Sequence, residues 1–248
     1  MGEVRFSCPP DLMKALVVTS GIDAAIETGT FEAEGTLLLR EAVSRVWTVE
    51  LDEALYERAI TDHGDRAGIT FLLGSSDEVL TKLLAEVDEP VVFWLDAHGG
   101  MVDHRSRDVL NPAGENTQCP LIGELQAIRS FRHAAASCIL IDDARVFLGP
   151  LPQLRAGDWP SLVDVIDLLR TDADRYITIL DDVVIAVPAS LRPVVDEWWL
   201  SQITGRDGRD AHQQALWEAH NPKPRVAARL LIKSVTPMFL RRAYERHR

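Results

Sequence analysis

Cysteine is scarce in this chain, with only Cys8, Cys119 and Cys138 among 248 residues. An odd number at these spacings fits neither a disulfide framework nor a zinc site, and points to a reducing interior rather than secretion. Positive charge is also short: 26 Lys and Arg face 38 Asp and Glu, a formal net charge of −12. That balance argues against a nucleic-acid partner, which needs a basic surface. The shortage is uneven, because residues 221–248 hold eight Lys/Arg and one Glu. Unbroken apolar runs are short, far below the roughly 20 residues of a membrane span. The N-terminal stretch, with Pro9, Pro10 and Asp11, does not read as a leader. The expectation is a cytoplasmic protein with neither nucleic acid nor membrane as partner. What is present, 46% hydrophobic and 26% charged residues, suits an ordinary globular protein able to bury a substantial core.

Apolar runs alternate with amphipathic segments from about residue 24 to 188. Strands are predicted at 24–29 (AAIETG), 45–50 (RVWTVE), 68–74 (GITFLLG), 91–95 (VVFWL) and 137–143 (SCILIDD). Helical spacing falls at 35–43, 52–60, 76–87, 120–131 and 161–170. Asp52 is placed to cap the second of these helices, with Leu55, Ala59 and Ile60 on its inner face. Residues 176–188 differ, since two β-rich runs flank Asp181–Asp182 as in an antiparallel hairpin. Alternation of this kind predicts an α/β fold: a doubly wound, mostly parallel sheet with helices on both faces. Residues 1–190 form the expected domain, with a polar insertion at about 99–119. The segment 191–248, including VVDEWWL and VAARLLIKSV, is a helical C-terminal extension packed on it. Trp198–Trp199 could form a substrate wall but reads rather as core packing or a subunit contact, which leaves a homodimer open.

The strand ends carry the chemistry. Strand one ends at Glu27, strand two at Glu50, strand four at Asp96, and strand five at Asp142 and Asp143. In a parallel sheet these ends share one edge, where ligands of open α/β sheets bind. Glu50 follows Gly29 by 21 residues, the usual spacing for an acid that accepts hydrogen bonds from ribose hydroxyls. The intervening turn, ETGTFEAEG, is not GxGxxG, and its Glu32 and Glu34 would repel a pyrophosphate. An adenosine ligand with a positive centre and no phosphate fits better, and S-adenosylmethionine is such a ligand.

The series AIETGTF, VWTVELDEALYERA, GITFLLGSSDEVL, VVFWLDAHGG, CPLIGELQAI and CILIDDARVF resembles the class I S-adenosylmethionine-dependent methyltransferases. It is most similar to a bacterial subgroup with IETGTF, FWLDxH, CPLxxEL and IDDxR motifs, across residues 24–188. The resemblance implies a seven-stranded Rossmann-like sheet whose last strand is antiparallel, and a small-molecule acceptor. It implies cofactor contacts at Glu27, Thr28, Gly29, Thr30 and Phe31, ribose contacts at Glu50 and Leu51, and adenine contacts around Gly74, Ser75 and Ser76. Asp96 borders the same site. Where relatives often place a further glycine in the first loop, this chain has Ala33, with Gly35 displaced.

Asp96, Asp142 and Asp143 also resemble the divalent-metal site of catechol-type O-methyltransferases, which implies Mg²⁺, or Mn²⁺ or Ca²⁺, on carboxylate oxygens. The competing reading is that the strand-five pair caps the next turn and Asp143 pairs with Arg145. His98 is a candidate general base, a metal ligand or a packed histidine, with Asp96 beside it as the second catalytic candidate. Asp103 and His104 read as solvated loop. The expected function is methyl transfer to a small-molecule hydroxyl. A nucleotide-dependent oxidoreductase, a metal-dependent hydrolase and a non-catalytic adenosyl-binding module are the alternatives.

Overall fold

A computed structural model describes residues 8–98, 119–149, 156–170 and 174–204. The polar insertion, save Cys119, and the basic tail lie outside the described residues, as do Asp103 and His104. The chain divides into two units, 1–198 and 199–248. Only residues 199–204 of the second are described, as the end of a helix.

The predicted apolar runs are strands: β1 Ala24–Thr28, β2 Arg45–Glu50, β3 Ile69–Leu73, β4 Val92–Leu95, β5 Cys138–Ile141, β6 Arg175–Leu180 and β7 Val183–Pro188. They form one seven-stranded sheet in the order β3-β2-β1-β4-β5-β7-β6. The first five strands run parallel, and β7 lies antiparallel between β5 and β6. β1, β4 and β5 are buried at every position, because helices cover both faces. That explains continuous apolar runs in place of alternation.

The helices are α1 Pro10–Ser20, α2 Glu34–Ala42, α3 Glu53–His63, α4 Ser76–Glu86, α5 Leu121–Arg129, α6 Ala144–Leu148, α7 Leu162–Leu169 and α8 Arg192–Thr204. On one face α4, α5 and α7 bury Leu80, Leu125 and Val165 against Ile26, Phe93, Ile139 and Val184. Side chains alternate along a strand, so Glu27, Trp94 and Leu140 point to the other face. There α2 packs on β1 and β2, and α1 packs on α2. Trp198 is buried core, one of the readings expected. Among the described residues, no helix is long and apolar enough to cross a membrane.

Local signals set the helix ends. Asp52 accepts from the Ala54 and Leu55 amides at the start of α3, and Ser161 and Asp164 form a capping box on α7. One expectation fails on α3: Ala59 is buried, but Ile60 is 40% exposed. The helix lies against β2 and the edge strand β3, so it buries a narrower stripe than a helix over the sheet centre.

The hairpin turn is two residues long, with Leu180 paired to Val183. Asp181 and Asp182 both have left-handed backbones, φ 47° and 66°, the twist a two-residue hairpin prefers. Asn-Gly usually supplies it, and aspartate tolerates it.

Candidate functional site

Strand order reverses between β1 and β4, so the loops after these strands part above their C-terminal ends and open a crevice. Gly29 sits at its base with φ +86°. A Cβ there would lie 2.4 Å from the Asp96 carbonyl oxygen, so the two loops touch across this one residue. Alanine at 29 adds that clash to about 1–2 kcal/mol of left-handed strain. Gly29→Ala should therefore lower the melting temperature by several degrees, and unchanged melting would show that the loops are not packed this closely.

The first loop continues with Phe31 at φ 47° and Ala33 at φ 62°. Ala33 thus holds a conformation that glycine would adopt freely. Glu50 keeps the loop in place: its Oε2 accepts from the Phe31 amide at 2.8 Å, and its Oε1 from Leu51 and Asp52 at 2.9 Å each. Thr30 is tied to β2 through Thr48, hydroxyl to hydroxyl at 2.6 Å.

Glu27 lies below this loop and is 1% exposed. Its Oε2 accepts from the Thr36 hydroxyl and from Thr48 Oγ1 at 2.7 Å. Its Oε1 lies against Gly35, where a Cβ would come within 2.4 Å. The displaced glycine therefore makes room for the acid. Burial pushes the Glu27 carboxyl up to about 7; the two threonines oppose the rise and the Glu50 charge adds to it. The native state then holds this proton more tightly than the unfolded chain does. Stability contributed through Glu27 should fall as pH rises from about 4.5 to about 7. Urea unfolding of the ligand-free protein across that range should show the decline, and Glu27→Gln should make it shallower, with Asp142 and Asp96 supplying the remainder. An identical slope in the variant would mean the carboxyl is not buried in this way.

At the end of β3, Gly74 has φ +145° and donates its amide to the Glu50 carbonyl at 2.8 Å. Ser75 precedes α4 and donates to Asp77 Oδ1 at 2.5 Å. Two of the expected contact residues turn away from the crevice. The hydroxyls of Thr28 and Ser76 are buried and act on the carboxyl of Glu124, a residue of α5 that is 1% exposed. They lower its pKa but stay outside hydrogen-bonding geometry, while burial, the larger effect, raises it. Glu124 lies in CPLIGEL, a motif that gave no sign of its place under the crevice.

Beyond β4 and β5 the structure gathers Asp96, His98, Asp142 and Asp143. His98 Nε2 is 3.1 Å from Asp143 Oδ2 and 3.9 Å from Asp96 Oδ1. Its ring packs on Trp159 at 5.5 Å and Phe147 at 6.1 Å between centroids. Burial would lower the pKa of His98, but the Asp143 hydrogen bond and the charges of Asp96, Asp143 and Asp142 lift it to about 9. Asp142 is raised to about 6, chiefly by burial and the adjacent Asp143 charge, although the Asp143 amide donates to it at 2.7 Å. Burial also raises Asp96. Burial acts upward on Asp143 too, yet His98 and Arg145 hold it below the usual carboxylate range.

Asp143 Oδ1 pairs with Arg145 at 2.6 Å, so both of its oxygens are engaged by cationic side chains. Among the described residues, no three His, Cys, Asp or Glu side chains are arranged to hold a metal ion. The expected divalent-metal set of Asp96, Asp142 and Asp143 does not fit as it stands. Arg145 also binds Asp182 in the hairpin turn through its guanidinium and, at 2.9 Å, through its amide. Neither Arg145 nor Asp182 had been given a site role from the sequence. The Asp-Asp turn and the IDDxR spacing were the available signals.

No family model and no curated protein matches the sequence. Solved structures with a similar fold include the O-methyltransferase from Bacillus cereus in complex with SAH, at 15% identity, TM-score 0.49, and 73% and 81% coverage of this chain and that one. The O-methyltransferase TomG from Streptomyces achromogenes with SAM has 15% identity, TM-score 0.45 and coverages of 72% and 78%. N-methyltransferase NodS from Bradyrhizobium japonicum WM9 has 13% identity, TM-score 0.40 and coverages of 71% and 89%. Likenesses this distant leave the chemistry to be settled at the site.

Proposed function

We propose that the crevice binds S-adenosylmethionine and that the protein transfers its methyl group to a hydroxyl of a small molecule. The supporting observation is Glu50 at the end of β2, joined to a left-handed first loop that holds Glu32 and Glu34 and no basic residue. A ribose diol and a cation suit these acids, whereas a pyrophosphate does not. Gly29 lets the first loop lie directly against the Asp96 backbone at the base of the crevice.

When bound, the cofactor supplies an electrophilic methyl carbon on a sulfonium. The chain binds, orients and moves a proton. Glu50 would hold the ribose, and a bound positive centre would draw Asp96 and Glu27, which burial holds toward their protonated forms, to their charged forms. With Nε2–H donated to Asp143, the basic atom of His98 is Nδ1. His98 gives up its excess proton more readily beside a bound cation. It would then accept the proton that the acceptor's hydroxyl loses on taking the methyl group the cofactor would supply. No step is assigned to a metal.

Calorimetry on the purified protein tests the reading. S-adenosylmethionine or S-adenosylhomocysteine should bind with a Kd of about 1 μM, about −8 kcal/mol. A preference for NAD would make the protein an oxidoreductase candidate instead. Absence of adenosyl binding together with hydrolytic activity would favour the hydrolase alternative.

A further inference from the structure

The proposed base is held by a chain of contacts that reaches the far hairpin. Asp143 Oδ2 faces His98 Nε2 at 3.1 Å and Asp143 Oδ1 faces Arg145 Nη1 at 2.6 Å. Arg145 in turn engages the Asp182 carboxylate, and the Asp182 carbonyl accepts from the Ala144 amide at 2.7 Å. The Asp182 side chain is only 9% exposed. Two members of this chain have left-handed backbones, Asp143 at φ 55° and Asp182 at φ 66°. The hairpin turn accounts for Asp182; at Asp143 such strain persists where surrounding contacts over-determine it. A planar guanidinium shared by two carboxylates also fixes direction, which a point charge does not.

We propose that Arg145 and Asp182 are positioning residues: the β6–β7 turn and the start of α6 form a bracket that holds Asp143, and through it the ring of His98, in one orientation. This assigns a task to the arginine of IDDxR and to the paired acids of the hairpin turn. It rests on the reading of His98 as the proton acceptor only for its consequence, since the bracket itself is a property of the ligand-free protein.

The test uses full-length protein labelled with ¹⁵N-histidine, without ligand, with His98→Gln assigning the ring signals. The wild type should show a His98 Nε2–H protected from exchange. Arg145→Met removes both arms of the bracket. Asp182→Asn keeps an acceptor for the Arg145 amide and a residue tolerant of positive φ, while removing the charged arm. Each should speed exchange at Nε2–H at least tenfold, with cooperative melting retained. Wild-type exchange in folded Asp182→Asn and Arg145→Met would overturn the proposal and leave the pair as a fastener of the hairpin. An unprotected Nε2–H in the wild type would overturn it as well. Loss of adenosyl binding would leave this result standing, because calorimetry reads that separately.

Discussion

Glu50→Ala should weaken binding of S-adenosylmethionine and of its demethylated product by about ten- to a hundredfold, the cost of about 1.5–3 kcal/mol for losing a hydrogen bond to a charged acceptor. Two effects contribute. The carboxylate is the candidate acceptor for ribose hydroxyls, and it already receives three backbone amides, from Phe31, Leu51 and Asp52. A carboxylate offers about four acceptor positions, so ribose must take the remaining position or share one with Phe31. The alanine variant loses both the ligand contact and the restraint on the first loop, whose Phe31 and Ala33 hold unfavourable backbones. Melting of the ligand-free variant should therefore fall too. Glu50→Gln separates the two effects, since its amide nitrogen cannot accept and one set of bonds must be lost. Unchanged calorimetric affinity in Glu50→Ala would remove Glu50 from the site.

How much of this was legible in the sequence varied with the distance over which each feature is determined. Strands buried on both faces announce themselves as apolar runs, and a carboxylate that ends such a run lies at the sheet edge whatever the tertiary detail. Glu27, Glu50, Asp96, Asp142 and Asp143 were found in that way. Short-range caps, such as Asp52 on α3, were equally plain. Side-chain direction was less so. Thr28 ends β1 and Ser76 begins α4, both at the crevice, yet their hydroxyls face the buried Glu124 on the face of the sheet that α4 and α5 cover. That meeting depends on how α5 seats against α4: a Cβ on Gly123 would lie 2.7 Å from the Asp77 side chain. The partnership of Arg145 with Asp182 joins residues 37 apart, so IDDxR and the Asp-Asp turn mark its two ends but not their meeting. It also sets a cation from the chain itself on one oxygen of Asp143. Five-residue α6 is too short to show a helical period, and α1 was masked by the two prolines at its start.

His98→Gln should lower the single-turnover rate of methyl transfer at least a hundredfold once an acceptor is in hand, within the 10²–10⁴-fold range of general-base catalysis. A hundredfold corresponds to about 2.7 kcal/mol of barrier. Glutamine keeps a donor for Asp143 Oδ2 and fills most of the space between Trp159 and Phe147, so cofactor affinity should hold. The ligand-free protein carries an independent mark of the same group. Its pKa of about 9 lies above the ordinary 6.5, so the native state holds the extra proton more tightly than the unfolded chain. Stability through His98 is fully present below about pH 6.5 and is lost as pH rises to about 9. Glutamine should remove that decline. In the complete system the rate should rise with pH as His98 sheds its proton, and this acidic limb should vanish in the variant. A variant that loses the stability slope but keeps the rate would make His98 a packed partner of Asp143. A variant that loses both makes one imidazole the source of the charge and of the chemistry.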